Sequence, residues 1–265
     1  MNRKRGFIPV AESALQNRAS FRPAVLIPVY DHELAIGTTL KEVLGYECPV
    51  LMVDDGSGEA CREVLIALST ENSGRVSLMR LAQNGGKGAA VKAGLNALMA
   101  DGYSHAIQID ADGQHNISDL PIFLETSKNN LECLVTGYPE FDEDVPRLRF
   151  YCRYLTHIWV WINTLSFTIR DSMCGFRVYP LPAVVKLLER EKCGNRMDFD
   201  IEVIVRWCWR GDKIINLPTR VNYPLDGVSH FDGWKDNLLI TLMHTRLFFG
   251  MLYRLPIILC RRLHG

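Results

Sequence analysis

The chain has 265 residues, of which 48% are hydrophobic and 23% are charged. This composition supports a large buried core and excludes an intrinsically disordered protein. The 30 basic residues balance the 30 acidic ones, whereas nucleic-acid-binding proteins usually carry a basic excess. We therefore expect no nucleic-acid partner.

The eight cysteines are scattered and form no CxxC pair. This argues against a zinc site or a disulfide framework and favours a reducing compartment. No apolar signal-peptide core follows the basic start of the chain. No uncharged apolar segment reaches the roughly 18–20 residues that a transmembrane helix needs. We expect a cytoplasmic protein that is at most peripheral, on the cytoplasmic face of the membrane.

Strand-like and helix-like segments alternate along the first half of the chain. Short apolar runs have the pattern of buried strands at residues 24–28, 49–53, 76–81 and 105–109. This alternation predicts an α/β fold with a single Rossmann-like, mostly parallel sheet flanked by helices. We divide the chain into an N-terminal extension, this domain and an amphipathic helical tail, at residues 1–22, 23–230 and 231–265.

Each predicted strand leads into a polar loop. The loops contain, in order, Tyr30, Asp54, Lys87 and Asp110. Because parallel strands present their carboxyl ends at one edge of the sheet, these loops are expected to converge on one crevice. The convergence favours a binding site over four unrelated turns.

The loop after the fourth strand carries two acids one residue apart, Asp110 and Asp112, followed by Gln114. Carboxylates are hard oxygen ligands that suit Mg²⁺ or Mn²⁺. The alternative is a strand followed by an ordinary polar turn, because Asp and Gly also favour turns.

Two further loops have a chemistry of their own. Asp54 and Asp55 are candidates for accepting hydrogen bonds from a ribose or a base edge, and the alternative is a turn with a helix cap at Ser57. Residues 84–88 resemble a phosphate-cradling loop with one lysine, Lys87. They match neither the P-loop pattern nor GxGxxG, so a glycine-rich turn is an equal alternative.

The second half contains an amphipathic helical pattern over residues 149–169, which is typical of a core-packing helix or of an interfacial helix with aromatic anchors. Asp198, Asp200 and Glu202 open another helix, with Gly211 as its expected C-cap. Acids in a first turn favour the helix dipole. Three acids exceed what capping requires, which leaves room for a catalytic one.

The tail from residue 233 onwards is apolar and basic, with five basic residues and one acid. We expect a pair of helices at the bilayer interface, attracted to anionic lipid. The alternative is a helix packed on the globular body or on a partner chain.

The polar loops that contain Tyr30, Asp54, Lys87 and Asp110 resemble, in their order and spacing, the motifs of the family-2 glycosyltransferases of the GT-A fold. The resemblance covers residues 23–230. Residues 171–177 are similar to the D-x-x-S-G-F-R segment of dolichol-phosphate mannose synthases and related polyprenyl-phosphate enzymes, with Cys174 in place of the serine. A weaker resemblance is to family-2 transferases of bacterial polyene-lipid gene clusters.

The resemblance implies a metal-dependent inverting glycosyltransferase that moves a sugar from a UDP- or GDP-sugar to a lipid-linked acceptor at the membrane. It also implies residue roles. The nucleoside would be held by Pro28, Tyr30 and Asp54. The Mg²⁺ or Mn²⁺ would be bound by Asp112 with Gln114, and Asp110 would contact ribose or metal. Phosphate charge would be balanced by Lys87 and Arg177.

The acceptor decides whether a base is needed. A hydroxyl would require a general base, for which Asp200 is preferred over Asp198 and Glu202. A phosphate is already anionic and would need only a nearby cation such as Arg177.

The chain departs from the family pattern at two places. Asp31 stands where asparagine is common, and Val203 replaces the glutamine of the Q-x-x-R-W box of processive synthases, so we do not expect polymer synthesis. Two other functions remain as alternatives. A nucleotidyltransferase would need a lysine-bearing glycine loop after the first strand, which is absent. A non-catalytic membrane adaptor is disfavoured by the intact acid pairs at Asp54 and Asp110.

Overall fold

The computed structural model describes residues 21–140, 147–221 and 235–264. The predicted N-terminal extension lies almost wholly outside the described residues. The described strands are β1 (Pro23–Val29), β2 (Val50–Asp54), β3 (Val76–Arg80), β4 (His105–Gln108), β5 (Leu134–Glu140), β6 (Arg177–Pro180) and β7 (Ile214–Arg220). The described α-helices are α1 (Ile36–Val43), α2 (Glu59–Glu71), α3 (Lys87–Ala100), α4 (Leu120–Asn129), α5 (Arg147–Thr164), α6 (Leu181–Arg190), α7 (Asp198–Arg210) and α8 (Lys235–His264).

The strands form one seven-stranded sheet in the order β3-β2-β1-β4-β6-β5-β7. All neighbours are parallel except β6, which runs antiparallel to β4 and β5. The predicted mostly parallel sheet is confirmed. Because β6 runs backwards, its first residue, Arg177, lies at the carboxyl edge of β4, opposite Gln108.

Apolar side chains fill both faces of the sheet. One layer packs β1, β2 and β4 against α3, α5, α6, α7 and α8, with Phe199 and Trp207 fully buried. The other layer packs the opposite face against α1, α2 and α4, with Phe123 stacked on Phe176. At the carboxyl edge of the sheet, Lys87, Asp110 and Asp112 are half-buried, whereas Asp54 and Asp55 are buried.

Several sequence predictions of helices need correction. The helix expected over residues 149–169 ends at Thr164, and Leu165 then takes a positive φ of 51°, which breaks helical geometry. Helix α6 was not predicted at all. Gly211 is confirmed as a C-cap of α7 in the left-handed conformation, with φ 81°.

The expected pair of tail helices is wrong, because α8 is one helix with Pro256 inside it. Pro256 and Leu252 both lie on the exposed face, where water can solvate the carbonyl that the proline leaves without a donor. Met243, Leu247 and Met251 are buried against the body, so one face of the tail packs on the globular domain. Within the described segments, no helix is both long and apolar enough to span a bilayer.

Candidate active site

A lysine between two carboxylates forms the centre of the candidate site. Lys87 Nζ lies 2.8 Å from Asp110 Oδ1 and 2.8 Å from Asp200 Oδ2. Asp110 follows β4, Lys87 is the first residue of α3, and Asp200 is in the first turn of α7. The predicted convergence of the Lys87 and Asp110 loops is therefore found, and the α7 acid joins them.

The charges in this cluster stabilise one another. Burial alone would raise the pKa of Asp110, but Lys87 and His115, whose Nε2 lies 3.4 Å from Asp110 Oδ2, hold it well below its usual value. Burial would likewise lower the pKa of Lys87, and the two carboxylates instead raise it above the ordinary value. Lys87 is thus a fixed cation and Asp110 a fixed anion at neutral pH.

Asp200 is further held by a buried polar cradle. Gln108 Nε2 donates to Asp200 Oδ1 at 3.2 Å, and Tyr179 donates to the other end of that amide. Arg177 is fully buried and donates to the backbone carbonyls of Asp200 at 2.6 Å and Ser172 at 2.7 Å. In this arrangement its guanidinium faces the protein interior, so the geometry gives Arg177 a positioning role, and its contact with phosphate stays a prediction.

The other two candidate bases lie outside the cluster. Asp198 Oδ1 accepts the backbone N–H of Arg196 at 3.1 Å. Glu202 is fully buried, and its Oε1 accepts from Arg206 Nη2 at 2.6 Å while its Oε2 accepts the N–H of Gly194 at 2.8 Å. Both carboxylates have structural partners, which leaves Asp200 as the one of the three that contacts Lys87.

The acid pair after β2 shapes loops. Asp54 Oδ1 accepts the N–H of Ser57 at 2.8 Å, and its other oxygen pairs with Arg80. Asp55 accepts the N–H groups of Gly85 and Gly86 at 2.9 and 2.7 Å, and burial raises the pKa of Asp55 in spite of them. These two amides are occupied by a carboxylate, which corrects the interpretation of residues 84–88 as a phosphate cradle.

The alternative interpretation, a helix cap at Ser57, is wrong. The N-cap of α2 is Gly58, whose N–H donates to Asp31 Oδ1 at 2.7 Å, and Ser57 Oγ instead accepts the N–H of Asp31 at 3.1 Å. The carboxylate of Asp31, which replaces the family's usual asparagine, is therefore used in joining the loops after β1 and β2. Of the expected nucleoside contacts in the first loop, Pro28 is buried within β1, and Tyr30 is half-buried just beyond it.

Of the three predicted metal ligands, Asp112 and Gln114 fit a divalent cation better than Asp110 does. Among the described residues, no three His, Cys, Asp or Glu side chains cluster as a complete metal site. Asp110 already pairs with Lys87, whereas Asp112 is half-buried with one oxygen on the N–H of Gln114 at 3.0 Å. Oxygen donors from Asp112 and Gln114 fit Mg²⁺ or Mn²⁺ where substrate phosphates and water complete the shell, the usual way in which proteins bind Mg²⁺.

A second polar cluster surrounds Asp171, the first residue of the segment 171–177 that the sequence analysis compares with polyprenyl-phosphate enzymes. Arg153 Nε and His157 Nε2 lie 2.6 and 3.1 Å from Asp171 Oδ2. Burial would raise the pKa of Asp171, and Arg153 together with His157 holds it well below its usual value. These side chains line a cleft of about 300 Å³ with Arg170 and several aromatic rings. The sequence feature that could have predicted this cluster is the spacing of Arg153 and His157, which lie one helical turn apart in the 149–169 pattern.

One short loop connects this cleft with the acid cluster. Asp171 lies at its start, in the cleft, and Oδ1 of Asp171 accepts the N–H of Cys174 at 2.7 Å. Gly175 lies against Asp110, so closely that a Cβ there would be 2.2 Å from Oδ2. Burial raises the pKa of the intervening Cys174 to about 12, so its thiol stays neutral. The cleft and the acid cluster therefore share the loop of residues 171–176.

The seven-stranded sheet with its flanking helices has the GT-A fold. A solved structure of glucosyl-3-phosphoglycerate synthase from Mycobacterium tuberculosis, in complex with Mn²⁺, uridine diphosphate and phosphoglyceric acid, superposes with a TM-score of 0.61. It is 15% identical, and the alignment covers 95% of this chain and 84% of that one. At this identity the likeness establishes the fold alone.

A match to a family model identifies the family to which the chain belongs. The family model described as glycosyl transferase family 2 matches residues 24–193, so the chain belongs to that family and is a glycosyltransferase.

Two relatives illustrate the family around this chain. A dolichyl-phosphate beta-glucosyltransferase of Trichomonas vaginalis is 28% identical over 72% of this chain, which spans 59% of that relative's length. A polyprenol monophosphomannose synthase of Mycolicibacterium smegmatis is 24% identical over 82% of this chain and 83% of its own length.

We predict that replacing the central lysine, Lys87→Met, lowers the melting temperature more at pH 8 than at pH 5. The pKa of Asp110 is lowered from 3.8 in the fold, so its stabilisation is fully present above 3.8 and is lost as the pH falls towards and through the lower pKa of the folded protein. In the variant, two neighbouring carboxylates lack their cation, and one of them can bind a proton at pH 5 but not at pH 8. The loss at pH 8 should correspond to a few kcal/mol.

Differential scanning fluorimetry at both pH values measures this. Lys41→Met is the matched control, because Lys41 is exposed on α1, and it should leave the melting temperature almost unchanged at either pH. Equal losses for Lys87→Met at both pH values would contradict the ion-pair assignment.

Proposed function

We propose that the protein transfers a sugar from a UDP- or GDP-sugar to a polyprenyl phosphate at the cytoplasmic membrane surface, with the help of Mg²⁺ or Mn²⁺. The named relatives act on dolichyl or polyprenol phosphates, and the GT-A neighbour was solved with Mn²⁺ and uridine diphosphate. These likenesses support the substrate classes, and the site geometry supports how they would be arranged.

One observation carries the proposal: residues 171–176 separate an acidic site from a cationic, aromatic cleft. Gly175 contacts Asp110 on one side, and Asp171 pairs with Arg153 on the other. A nucleotide-sugar with its metal fits the acidic side, where oxygen ligands are available. A phosphate on an apolar chain fits the other side, where guanidinium groups and rings meet. The two substrates would then approach each other across a few residues.

On the donor side, Asp112 and Gln114 would hold the divalent cation and Lys87 would contact the diphosphate. When bound, such an ion neutralises charge that develops on the leaving diphosphate without moving a proton. Lys87 is suited to its task because Asp110 and Asp200 fix its ammonium from two directions. A fixed cation needs no reorganisation as the leaving group gains charge.

On the acceptor side, Arg153 and Arg170 are the cations of the cleft. Arg153 is neutralised by Asp171, whereas Arg170 stacks over Tyr138 with its guanidinium carbon 4.9 Å from the ring centroid and donates to that hydroxyl at 2.9 Å. Arg170 is therefore the better candidate for pairing with an acceptor phosphate. A phosphate oxygen attacks as an anion, with inversion at the sugar carbon, and no general base is required.

We infer for Asp200 a task other than that of general base. Its two carboxylate oxygens already bond Lys87 and Gln108. We infer that Asp200 holds Lys87 in place and acts as a base only if the acceptor is a hydroxyl.

A large apolar surface supports docking on a membrane. Helices α5 and α8 contact each other through Trp159, whose ring centroid lies 6.4 Å from that of Phe248. Both helices expose large hydrophobic side chains, among them Leu155, Ile158, Trp159, Leu242, Phe249, Tyr253 and Ile257. Residues 153–164 and 237–261 contain no acid. An apolar, acid-free face beside the cleft is typical of an interfacial helix surface.

We predict that the purified protein, given a panel of UDP- and GDP-sugars with Mn²⁺ and a short-chain polyprenyl phosphate, releases nucleoside diphosphate and forms a lipid-linked sugar. Asp112→Asn should reduce kcat/KM at least about 100-fold, since a lost ligand weakens both metal binding and leaving-group stabilisation. Asp212→Asn is the control and should retain full turnover, because Asp212 lies just beyond the C-terminal end of α7, where it pairs with Arg210 at 2.8 Å. Product formation is followed by mass spectrometry. Full activity of Asp112→Asn would overturn the assigned metal ligand, and release of sugar 1-phosphate in place of nucleoside diphosphate would indicate nucleotidyl transfer.

A second prediction concerns the acceptor cleft. Arg170→Gln should raise the KM for the polyprenyl phosphate about tenfold or more, because a hydrogen bond to a charged group contributes about 1.5–3 kcal/mol. The KM for the nucleotide-sugar should stay unchanged. Arg62→Gln, which removes only an exposed pair with Glu59, should change neither. Steady-state kinetics with each substrate varied in turn measures both constants, and a rise in the donor KM alone would place the acceptor elsewhere.

A further inference from the structure

Two arginines of the tail helix bind acids of the globular domain, the fully buried Glu202 and the half-buried Glu191. Arg246 Nη2 lies 2.6 Å from Glu202 Oε2, and Arg254 Nη2 lies 2.7 Å from Glu191 Oε1. Arg206 joins the two acids, with Nε 3.0 Å from Glu202 Oε1 and Nη1 paired with Glu191. We refer to these five residues as the clamp. It is the polar connection between α8 and the segment that precedes α7.

The clamp holds the segment of residues 191–197. Glu202 Oε2, which binds Arg246, also accepts the backbone N–H of Gly194 at 2.8 Å. Glu191 is itself the first residue of the segment. Breaking the arginine contacts would leave a fully buried carboxylate short of partners. The position of this segment therefore depends on the tail helix.

The segment in turn lies on the start of α3, which carries Lys87. The carbonyl of Asn195 accepts the N–H of Ala89 at 3.0 Å, and Lys92 Nζ donates to the carbonyl of Cys193 at 3.0 Å. The packing is tight, because a Cβ at Gly86 would lie 2.6 Å from the Asn195 carbonyl oxygen. A displaced segment would thus displace the first turn of α3.

We propose that Glu202, Arg246 and Arg254 are positioning residues for the nucleotide: the clamp transmits the seating of the tail helix through residues 191–197 to Lys87. This rests on the proposed function, because Lys87 is assigned there to the diphosphate. It also explains why Glu202, which has no room to contact a substrate, is a buried acid in the helix that carries Asp200. The tail is then part of the donor site and has a role beyond attaching the protein to a surface.

A purely structural clamp would give a different result. It would lower the melting temperature but leave the nucleotide affinity of the folded protein unchanged. The positioning role instead requires weaker nucleotide binding in a variant that is folded at the temperature of the measurement. Arg246 and Arg254 are the appropriate residues to change, because their side chains are 52% and 26% exposed, whereas removal of the buried Glu202 endangers the fold.

The test is isothermal titration of UDP and of GDP, each with Mn²⁺, into wild type, Arg246→Ala/Arg254→Ala and the control Arg261→Ala. Arg261 is on the same helix and donates to the carbonyl of Trp209 at 2.5 Å, so it contacts the body but not the segment. We expect the double variant to bind the nucleotide at least about threefold more weakly, in the range of coupling free energies between connected sites. The control should bind like wild type. An unchanged Kd in the double variant, or an equal loss in the control, overturns the proposal.

Hydrogen exchange separates this proposal from the proposed function. The Gly194 amide, which donates to Glu202, should exchange faster in the double variant than in wild type and in the control. If wild type binds neither nucleotide, the proposed function fails, and the exchange result decides only whether the clamp holds residues 191–197: faster exchange supports that hold, and unchanged exchange overturns it. If the double variant does not fold, Arg246→Ala alone is measured in the same way.

Discussion

The ammonium group of Lys87 between Asp110 and Asp200 is the interaction on which the rest of the site depends. Two carboxylates close together repel each other and would take up a proton unless a cation lies between them. The three residues come from the end of β4, the start of α3 and the start of α7. One interaction therefore joins three elements that are distant in sequence and fixes the crevice between them.

The sheet topology helps to bring the end of β4 and the start of α7 together. Strand β6 runs antiparallel between β4 and β5, which brings Arg177 opposite Gln108 at the carboxyl edge of β4. Arg177 then bonds the carbonyls of Ser172 and Asp200. The loop of residues 171–176 and the start of α7 are thereby held on the same buried guanidinium. The acid cluster and the cleft at Asp171 are therefore joined through one buried side chain.

Much of the fold could be predicted from the sequence, but the partner that each acidic side chain binds could not. Short apolar runs ending in polar loops predicted the parallel strands and their shared edge, because periodicity reports burial directly. The same pattern cannot report which acid finds which partner. Asp54 and Asp55 bind loop amides, Asp198 and Glu202 hold residues 194–196, and only tertiary contacts distinguish them from Asp200. The antiparallel β6, the inward direction of Arg177 and the cleft at Asp171 are consequences of such contacts.

The central claim is that Lys87 and Asp200 act as one electrostatic unit, and a double-mutant cycle tests it most directly. The free energy of unfolding is measured by urea denaturation at pH 8 for wild type, Lys87→Met, Asp200→Asn and the double variant. Residues in direct contact give interaction energies of about 0.5–3 kcal/mol, whereas independent sites add to within about 0.3–0.5 kcal/mol. We predict a coupling above about 1 kcal/mol in favour of the pair, and additive losses would contradict the account.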